Sequence, residues 1–370
     1  MSRIVIVGAG ASGLMAAIFA ARAGADVTLA EHNEKAGKKI YITGKGRCNC
    51  TNDCDMDTFL GEVARNPRFL YSALRFFSPR DLMALLENSG CPVTVQRGRR
   101  VFPTSEKASD VTKALLKLCN SLGVRLLLNT GVESIILEEP GSSGNRAADT
   151  KAVQLDTPCA APDKHRAAGV RLFSGKFLPA DAVILATGGF SAPATGSTGD
   201  GYRFARVLGH TVFPPRPSLS ALETKETWVT SLQGLSLRNT GLTLKSGGKT
   251  LYSRQGEMLF THFGVSGPLV LEASCHLPDN PSGARLILDL KPGLTLEQLD
   301  ARLLREFSGA GKKQLKNILP ALLPQRLAEL FPGLCGLPRD LSCPQVTAPQ
   351  RRALVEMLKG FPLTVDRFRP

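Results

Sequence analysis

The fold is decided by residues 3–25, which read RIVIVGAGASGLMAAIFAARAGA. The β-branched run at residues 4–7 predicts a short buried strand. Residues 8–13 spell the motif G-x-G-x-x-G, and the small and apolar side chains after it predict a helix that ends at Gly24. Residues 26–31, DVTLAE, predict a second strand. The stretch therefore opens a strand–helix–strand unit whose first turn is rich in glycine.

This turn has the composition of a dinucleotide-binding loop. Gly8 would allow the tight bend, Gly10 would let a pyrophosphate approach the backbone, and Gly13 would let the helix pack on the strand. The helix N-terminus would offer free N–H groups and a positive dipole end to the phosphates. Glu31, at the end of the second strand, could accept hydrogen bonds from an adenosine ribose and would repel a 2′-phosphate. A purely structural glycine turn is the alternative.

The residues after the second strand favour FAD over a nicotinamide dinucleotide. A nicotinamide domain would continue with alternating strands and helices, whereas residues 32–52 are basic and rich in glycine, HNEKAGKKIYITGKGRCNCTN. Their lysines and arginine can reach phosphates or the electron-rich edge of a ring system, and their asparagines offer donors and acceptors. A predicted β-meander near residues 132–181 then leads to the strand VILATGG. We therefore expect non-covalently bound FAD, with NADH or NADPH as a candidate electron donor.

Composition places the chain among soluble globular proteins. Its 370 residues are 43% hydrophobic and 21% charged, and no apolar run is long enough to cross a bilayer. The glycines of residues 8–13 interrupt the N-terminal apolar run, which argues against a signal peptide. Nine cysteines, an odd number spread over a large chain, favour reduced thiols. The expected compartment is the cytoplasm, with no membrane partner.

The net charge of +14 raises the question of a nucleic-acid partner. The excess is diffuse, because residues 1–130 and residues 131–370 each carry +7. A dedicated nucleic-acid surface would concentrate its charge in one patch. The charge pattern therefore favours anionic small ligands and argues against nucleic acid.

Three cysteines, Cys48, Cys50 and Cys54, lie close together in the chain. Zinc sites take about four ligands, in wider pairs or with histidines, and no second cluster follows. The spacing therefore favours neither a metal site nor a redox-active disulfide. Residues 97–103, RGRRVFP, could steer an anionic substrate or form a solvated basic turn. His262 is the candidate acid or base, although a structural histidine is the alternative.

Six segments in this order resemble the bacterial BaiN/RdsA-type (YhiN-like) family of NAD(P)/FAD-dependent oxidoreductases, which includes aminoacetone oxidase-like flavoproteins. They are GAGASG, GKGRCNCTN, RVFPTSEKASDV, ADAVILATGGFSAPATGSTGDGY, FTHFGVSGP and VDRFRP. The resemblance implies an α/β, Rossmann-like, two-dinucleotide-binding-domain FAD fold with an inserted mixed β/helical domain. The expected divisions are an FAD domain at residues 1–199, an inserted substrate or cap domain at 200–358, and the start of a return to the FAD domain at 359–370.

The resemblance also assigns cofactor contacts residue by residue. These are Gly8, Gly10, Ala11, Ser12 and Gly13 for the pyrophosphate, Glu31 for the ribose, Lys39, Arg47, Cys48 and Asn49 near the flavin, Val132 for adenine through its backbone, and Thr187 and Gly188 at the end of the last strand. Members of the family continue beyond the final RP with a segment that closes over the flavin. This chain ends at Pro370. We therefore expect that return segment to be missing and FAD binding by the chain alone to be weak.

The expected function is an FAD-dependent oxidoreductase that passes hydride through flavin N5. The first version is an NAD(P)H-linked reductase of a small organic acceptor such as an enone. The second is an oxidase of a small amine that uses O₂. A third, from another class, is a non-catalytic protein, either an inactive truncated flavoprotein or a basic binding protein. The sequence leaves the substrate and the oligomeric state open.

Overall fold

The computed structural model describes residues 1–138, 150–152 and 166–369. The chain divides into two compact units, Met1–Pro214 and Pro215–Pro370. The division of the chain into an FAD domain and an inserted domain at residues 199 and 200 stays a prediction.

The first unit alternates strands and helices. Its strands are β1 (Arg3–Val7), β2 (Asp26–Ala30), β3 (Thr51–Asn52), β4 (Val93–Gln96), β5 (Arg100–Pro103), β6 (Arg125–Leu127), β7 (Val132–Glu138), β8 (Thr150–Ala152), β9 (Ala167–Leu172), β10 (Phe177–Pro179) and β11 (Ala182–Leu185). Its helices are α1 (Ala11–Arg22), α2 (Lys38–Ile42), α3 (Met56–Gly61), α4 (Tyr71–Phe76), α5 (Pro79–Asn88), α6 (Ala108–Ser121) and α7 (Asp200–Val207).

A parallel sheet in the order β11-β1-β2-β6 forms the centre of this unit. β1 lies between two neighbours, and strands covered on both faces are largely apolar, as residues 4–7 of β1 are. Helix α1 buries Leu14 and Ile18 in the same core as Ile6 and Leu29. The predicted β1–α1–β2 unit and the α/β, Rossmann-like class are confirmed.

Two smaller sheets accompany the parallel one. An antiparallel sheet in the order β10-β9-β7-β8 occupies the segment of the predicted meander. Residues 139–149 and 153–165 of that segment lie outside the described part of the chain. The other small sheet has the order β3-β5-β4. Its first strand, β3, follows directly after Cys48 and Cys50, which lie in the cysteine-rich loop at residues 44–50.

The helical conformation breaks between α4 and α5, where a proline stands. Helix α4 ends at Phe76, and α5 begins at Pro79, whose missing N–H costs nothing in a first turn. Ser78 and Asp81 form a reciprocal capping box that satisfies the first amides of α5.

The second unit is built on a closed barrel of six strands. The strands are β12 (Leu222–Thr224), β13 (Ser236–Ser246), β14 (Lys249–Phe260), β15 (Gly264–Ser266), β16 (Arg285–Asp289) and β17 (Phe361–Phe368). The helices are α8 (Pro268–Ser274), α9 (Leu296–Ser308), α10 (Leu315–Ile318), α11 (Gln325–Leu334) and α12 (Ala348–Lys359). The strands follow the order β12-β15-β14-β13-β16-β17, and β12 pairs with β17 to close the ring.

The longest hairpin of the barrel, β13–β14, turns at Gly247 and Gly248, both with positive φ (55° and 76°), as a two-residue hairpin turn requires. Strand β17 alternates buried and less buried side chains, with Phe361, Leu363 and Val365 inside. The segment 359–370, which the sequence analysis assigns to the start of a return, thus contributes the closing strand of the barrel. A continuation from there to the first unit stays a prediction.

Within residues 1–138, 150–152 and 166–369, no helix combines the length and the hydrophobicity that crossing a membrane requires.

Candidate functional site

A cavity of about 680 Å³ lies in the first unit at the carboxyl ends of its parallel strands. Val7 at the end of β1, Ala30 at the end of β2 and Ala186 just after β11 all line it. Ligands of open parallel sheets bind at this edge, where the strands end and the loops begin. Its volume is within the range of roughly 300–1,000 Å³ that is usual for small-molecule and cofactor sites.

The glycine turn after β1 forms one wall of the cavity. Gly8 has φ +101°, and a Cβ there would lie 2.6 Å from the Ala186 carbonyl oxygen. A Cβ on Gly13 would lie 1.8 Å from the Gly8 carbonyl oxygen. Around Gly10, by contrast, no atom of the described chain lies within 4 Å of a built Cβ. The first and third glycines are therefore required by packing, and the second leaves open space in the cavity wall.

Helix α1 points its N-terminus at this open space. Gly10 is the N-cap residue, and among the described residues no side chain caps the helix and no acid occupies its first turn. Ala11 and Ser12 are exposed and line the cavity. The amides of the first turn and the positive end of the helix dipole are thus available to an anion.

Glu31 connects the glycine turn to the loop after β2. Its side chain is 6% exposed and lines the cavity. One carboxylate oxygen accepts a hydrogen bond from the Ala9 amide at 2.7 Å, and the other accepts from the Asn33 amide at 2.9 Å and from Asn33 Nδ2 at 2.7 Å. A carboxylate offers about four acceptor positions, so one remains for a ribose hydroxyl.

The two lysines at the start of α2 differ in their partners. Lys38 Nζ bonds to Glu34 Oε2 at 3.0 Å and to Asn33 Oδ1 at 3.2 Å. Lys39 also lines the cavity, and in the described part of the chain no carboxylate lies within ion-pair distance of it. Lys39 is therefore the cation of α2 that a bound anion can use.

Arg47 is not brought to the cavity. Its guanidinium lies 4.4 Å from the centroid of the Phe102 ring and 3.1 Å from Glu106 Oε1. The side-chain hydrogen bonds of Gln96 and Arg47 lower the pKa of the Glu106 carboxyl. Arg47 thus fixes the cysteine-rich loop to the β4–β5 hairpin, and the predicted flavin contact of this residue stays a prediction.

Cys48, Asn49 and Cys50 form the wall opposite the glycine turn. Cys48 is buried and adopts φ +60°, a conformation rare outside glycine. The hydrogen bond from the Cys50 thiol is the largest cause that lowers the pKa of Cys48, to about 7. The same bond and burial raise the pKa of Cys50.

The far wall comes from residues distant in sequence. Val132 begins β7 and is 8% exposed, whereas Thr187 and Gly188 follow β11. Gly188 has φ +79°, and a Cβ there would lie 2.6 Å from Ser197 Oγ. All three residues line the cavity.

Eleven of the thirteen predicted cofactor residues therefore meet at one cavity. They are Gly8, Gly10, Ala11, Ser12, Glu31, Lys39, Cys48, Asn49, Val132, Thr187 and Gly188. Gly13 and Arg47 are not among the described residues that line it. Gly13 lies beneath the turn and Arg47 lies against Phe102.

His262 belongs to the second unit, in the turn between β14 and β15. Its ring makes an edge-to-face contact with Phe263, with the centroids 4.9 Å apart. The lining residues of the cavity all come from the first unit. The acid or base role of His262 stays a prediction.

Sequence reasoning missed several lining residues. Some are His32 and Asn33, Thr43 and Cys50, Phe173, and the segment from Thr195 to Asp200. His32 and Asn33 follow the ribose acid directly, so their position at a strand end could have identified them. Phe173 comes from a loop whose approach depends on tertiary packing, and no local signal marks it. Residues 195–200 belong to the segment ADAVILATGGFSAPATGSTGDGY, but its spacing did not indicate which of them line the cavity.

The described cysteines are all free thiols, while Cys159 lies outside the described residues. Over the described ranges no group of three or more His, Cys, Asp or Glu side chains could hold a metal ion. The expectation of no metal stays a prediction.

The residues present fit a bound dinucleotide. Open space at Gly10, an uncapped helix N-terminus and a partner-free Lys39 among the described residues suit a pyrophosphate, and Glu31 suits a ribose. Beyond these, the cavity continues past Met15, Leu86 and Leu115, which supply apolar surface for a ring system.

Comparison with known proteins gives a consistent result. The family described as HI0933-like protein Rossmann domain matches residues 2–306. The ribosomal RNA dihydrouridine synthase of Haemophilus influenzae is 31% identical over 98% of this chain and 82% of that protein. The 3-dehydro-bile acid delta(4,6)-reductase of Clostridium scindens is 28% identical over 99% and 83%. The ribosomal RNA dihydrouridine synthase of Escherichia coli is 29% identical over 96% and 80%.

Proposed function

This chain belongs to the HI0933-like family of Rossmann-domain proteins, and from that premise we propose that it is an FAD-dependent reductase of a carbon–carbon double bond conjugated with a carbonyl group. At the coarser level the chain is an oxidoreductase of a flavin-dependent family, so the non-catalytic alternative is set aside. The substrate, NAD(P)H as electron donor and the site roles belong to the proposal.

The cavity of about 680 Å³ carries the proposal. It joins the open position at Gly10, the first turn of α1 and the buried Glu31 to an apolar wall at Leu86 and Leu115. The amides of Ala11 and Ser12 are positioned to bind phosphate oxygens. The same cavity thus offers free amides and a carboxylate for a dinucleotide and apolar side chains for its ring.

When bound, FAD supplies hydride chemistry at flavin N5. The chain's own residues bind and orient the cofactor: the first turn of α1 and Lys39 balance the phosphate charge, and Glu31 accepts from the ribose. Apolar side chains such as Leu86 and Leu115 would exclude water from the ring. Residues around the ring would then determine which electron acceptor is reduced.

The names of the relatives support the acceptor class. One names the formation of dihydrouridine in ribosomal RNA and the other names a delta(4,6)-reductase of a bile acid. Dihydrouridine is uridine with its ring double bond reduced, so both names describe saturation of a double bond conjugated with a carbonyl. We therefore propose the type of bond that is reduced, and the identity of the substrate is treated separately.

The test is anaerobic stopped-flow spectroscopy of the FAD-reconstituted protein. We expect NADH or NADPH to bleach the visible absorbance of the oxidised flavin rapidly, and a conjugated enone or uridine-containing RNA to restore it. Bleaching by a small amine and by neither nicotinamide would overturn the reductase and favour the oxidase alternative. Free FAD with the same reagents is the control.

A second substrate, ribosomal RNA, is favoured by the surface around α4. Phe69 is 85% exposed and Tyr71 46%, and the exposed Arg68 directly precedes Phe69 in the chain. Unstacked RNA bases stack on aromatic rings and arginine planes. The expectation that nucleic acid is not a partner is therefore not confirmed.

Replacing both Phe69 and Tyr71 by alanine is expected to raise the Kd for single-stranded ribosomal RNA fragments about tenfold or more, because each stacked base contributes roughly 1–3 kcal/mol. Fluorescence anisotropy at fixed salt measures the change. Phe213→Ala is the matched control, since Phe213 is 83% exposed in the same unit. Equal affinity of the double variant and the control would remove RNA as the substrate while leaving the reductase proposal intact.

A further inference from the structure

Cys48 and Cys50 form a preassembled pair of thiols. Their Sγ atoms lie 3.8 Å apart, and both side chains line the cavity. The C-x-C spacing alone argues against a redox pair. In the folded loop, however, both sulfurs lie on the same side of the chain and close to each other.

The backbone fixes this arrangement. Cys48 adopts φ +60°, and its amide donates to the Thr43 carbonyl oxygen at 3.0 Å. The Cys50 amide donates to the Val101 carbonyl oxygen at 2.8 Å, which anchors the other end of the pair to β5. A left-handed residue turns the chain sharply, so the side chains of alternate residues meet.

We propose that Cys48 and Cys50 are a thiol–disulfide exchange site that takes a low-molecular-weight disulfide and closes to a reversible Cys48–Cys50 disulfide. Forming that bond requires the sulfurs to approach from 3.8 Å to about 2.05 Å. A bridge between next-but-one residues closes a small ring. Strained disulfides of this kind are the labile and regulatory ones.

The exchange balances in two steps. The Cys48 thiolate attacks one sulfur of the small disulfide, forms a mixed disulfide and releases one small thiolate. The Cys50 thiol then loses its proton, attacks Cys48 Sγ and expels the second small thiolate. The two released thiolates take up the two protons of the pair, so the protein is oxidised by two electrons and the small disulfide is reduced to two thiols.

The charge states agree with these roles. The Cys50 thiol donates to Cys48, which lowers the pKa of Cys48 to about 7 and leaves a large thiolate fraction at neutral pH. Burial raises the pKa of Cys119 to about 11, and burial also raises the pKa of Cys91. The Cys48–Cys50 pair is therefore the most reactive of these described sites.

The experiment treats the purified full chain with glutathione disulfide at neutral pH and follows intact mass and peptide maps. We expect the wild type to lose two hydrogen atoms in the peptide that contains both cysteines, and dithiothreitol to restore them. Cys50→Ser should instead retain one glutathione on Cys48. Iodoacetamide should alkylate Cys48 at least tenfold faster than Cys91.

Two outcomes overturn the proposal: a stable glutathione adduct on the wild type, or no adduct on Cys50→Ser. Cys91→Ser is the matched control and should behave as the wild type. Cys50→Ser keeps a hydroxyl that can donate to the Cys48 thiolate, so the loss of the Cys50 thiol does not by itself remove the activation of Cys48. None of these readouts depends on FAD or on turnover.

Discussion

A Gly10→Ala variant is expected to keep its fold and to lose FAD affinity at least tenfold, whereas Gly13→Ala should lose the fold itself. Among the described residues nothing lies within 4 Å of a Cβ on Gly10, and its φ of −75° suits alanine. The added methyl enters the open space where the pyrophosphate is proposed to lie, and a tenfold loss corresponds to about 1.4 kcal/mol.

In the Gly13→Ala variant, by contrast, the added methyl group has no room. Its Cβ would lie 1.8 Å from the Gly8 carbonyl oxygen, which is backbone and can move only if the β1–α1 turn moves. Urea unfolding followed by circular dichroism measures the fold, and titration with FAD followed by flavin fluorescence measures binding. Unchanged FAD affinity for a folded Gly10→Ala protein would show that the pyrophosphate lies elsewhere.

This contrast between two glycines of one motif shows what the sequence could provide. The motif and its acid are local in sequence, so spacing alone located Gly8, Gly10 and Glu31 at one turn. The motif also predicted that Gly13 serves helix packing, and the 1.8 Å between a Cβ on Gly13 and the Gly8 carbonyl oxygen agrees with it. The motif could not give the open space around Gly10, because that depends on the loops that surround the turn.

The contacts that Arg47 makes in the folded chain could not be predicted from its neighbours in sequence. A basic residue beside a glycine-rich loop predicts a ligand contact, but its guanidinium stacks on Phe102 and pairs with Glu106. Phe102 lies more than fifty residues further along the chain, so no periodicity links the two. Planar stacking of arginine on an aromatic ring competes with phosphate binding, and tertiary packing decides between them.

The barrel of the second unit was not predicted, since the resemblance implied only a mixed β/helical domain. Its closure pairs β12 with β17 and so joins residues separated by most of the unit. Pairing of that kind is set by the register of whole strands, which single-strand patterns do not determine. The long β13–β14 hairpin turns at Gly247 and Gly248, both with positive φ.

Glu31→Ala is expected to lower the free energy of unfolding by about 2–4 kcal/mol, because removal of a buried acceptor leaves its donors unsatisfied. The carboxylate is 6% exposed and accepts from the Ala9 amide and from two donors of Asn33. The glycine turn then loses its connection to the loop after β2. FAD affinity should fall with it, because the ribose acceptor and the shape of the turn are lost together.

Glu31→Gln and Glu34→Ala are the control variants for Glu31→Ala. Glutamine keeps the size and one oxygen but presents an amide to N–H groups, so its loss of stability should be intermediate. Glu34 has the same functional group, but its side chain is 65% exposed and pairs with Lys38. Its removal should change stability by less than about 0.5 kcal/mol, as surface substitutions usually do. Urea unfolding of the three variants gives the order, and a Glu31→Ala protein as stable as Glu34→Ala would contradict the role of this carboxylate in holding the turn.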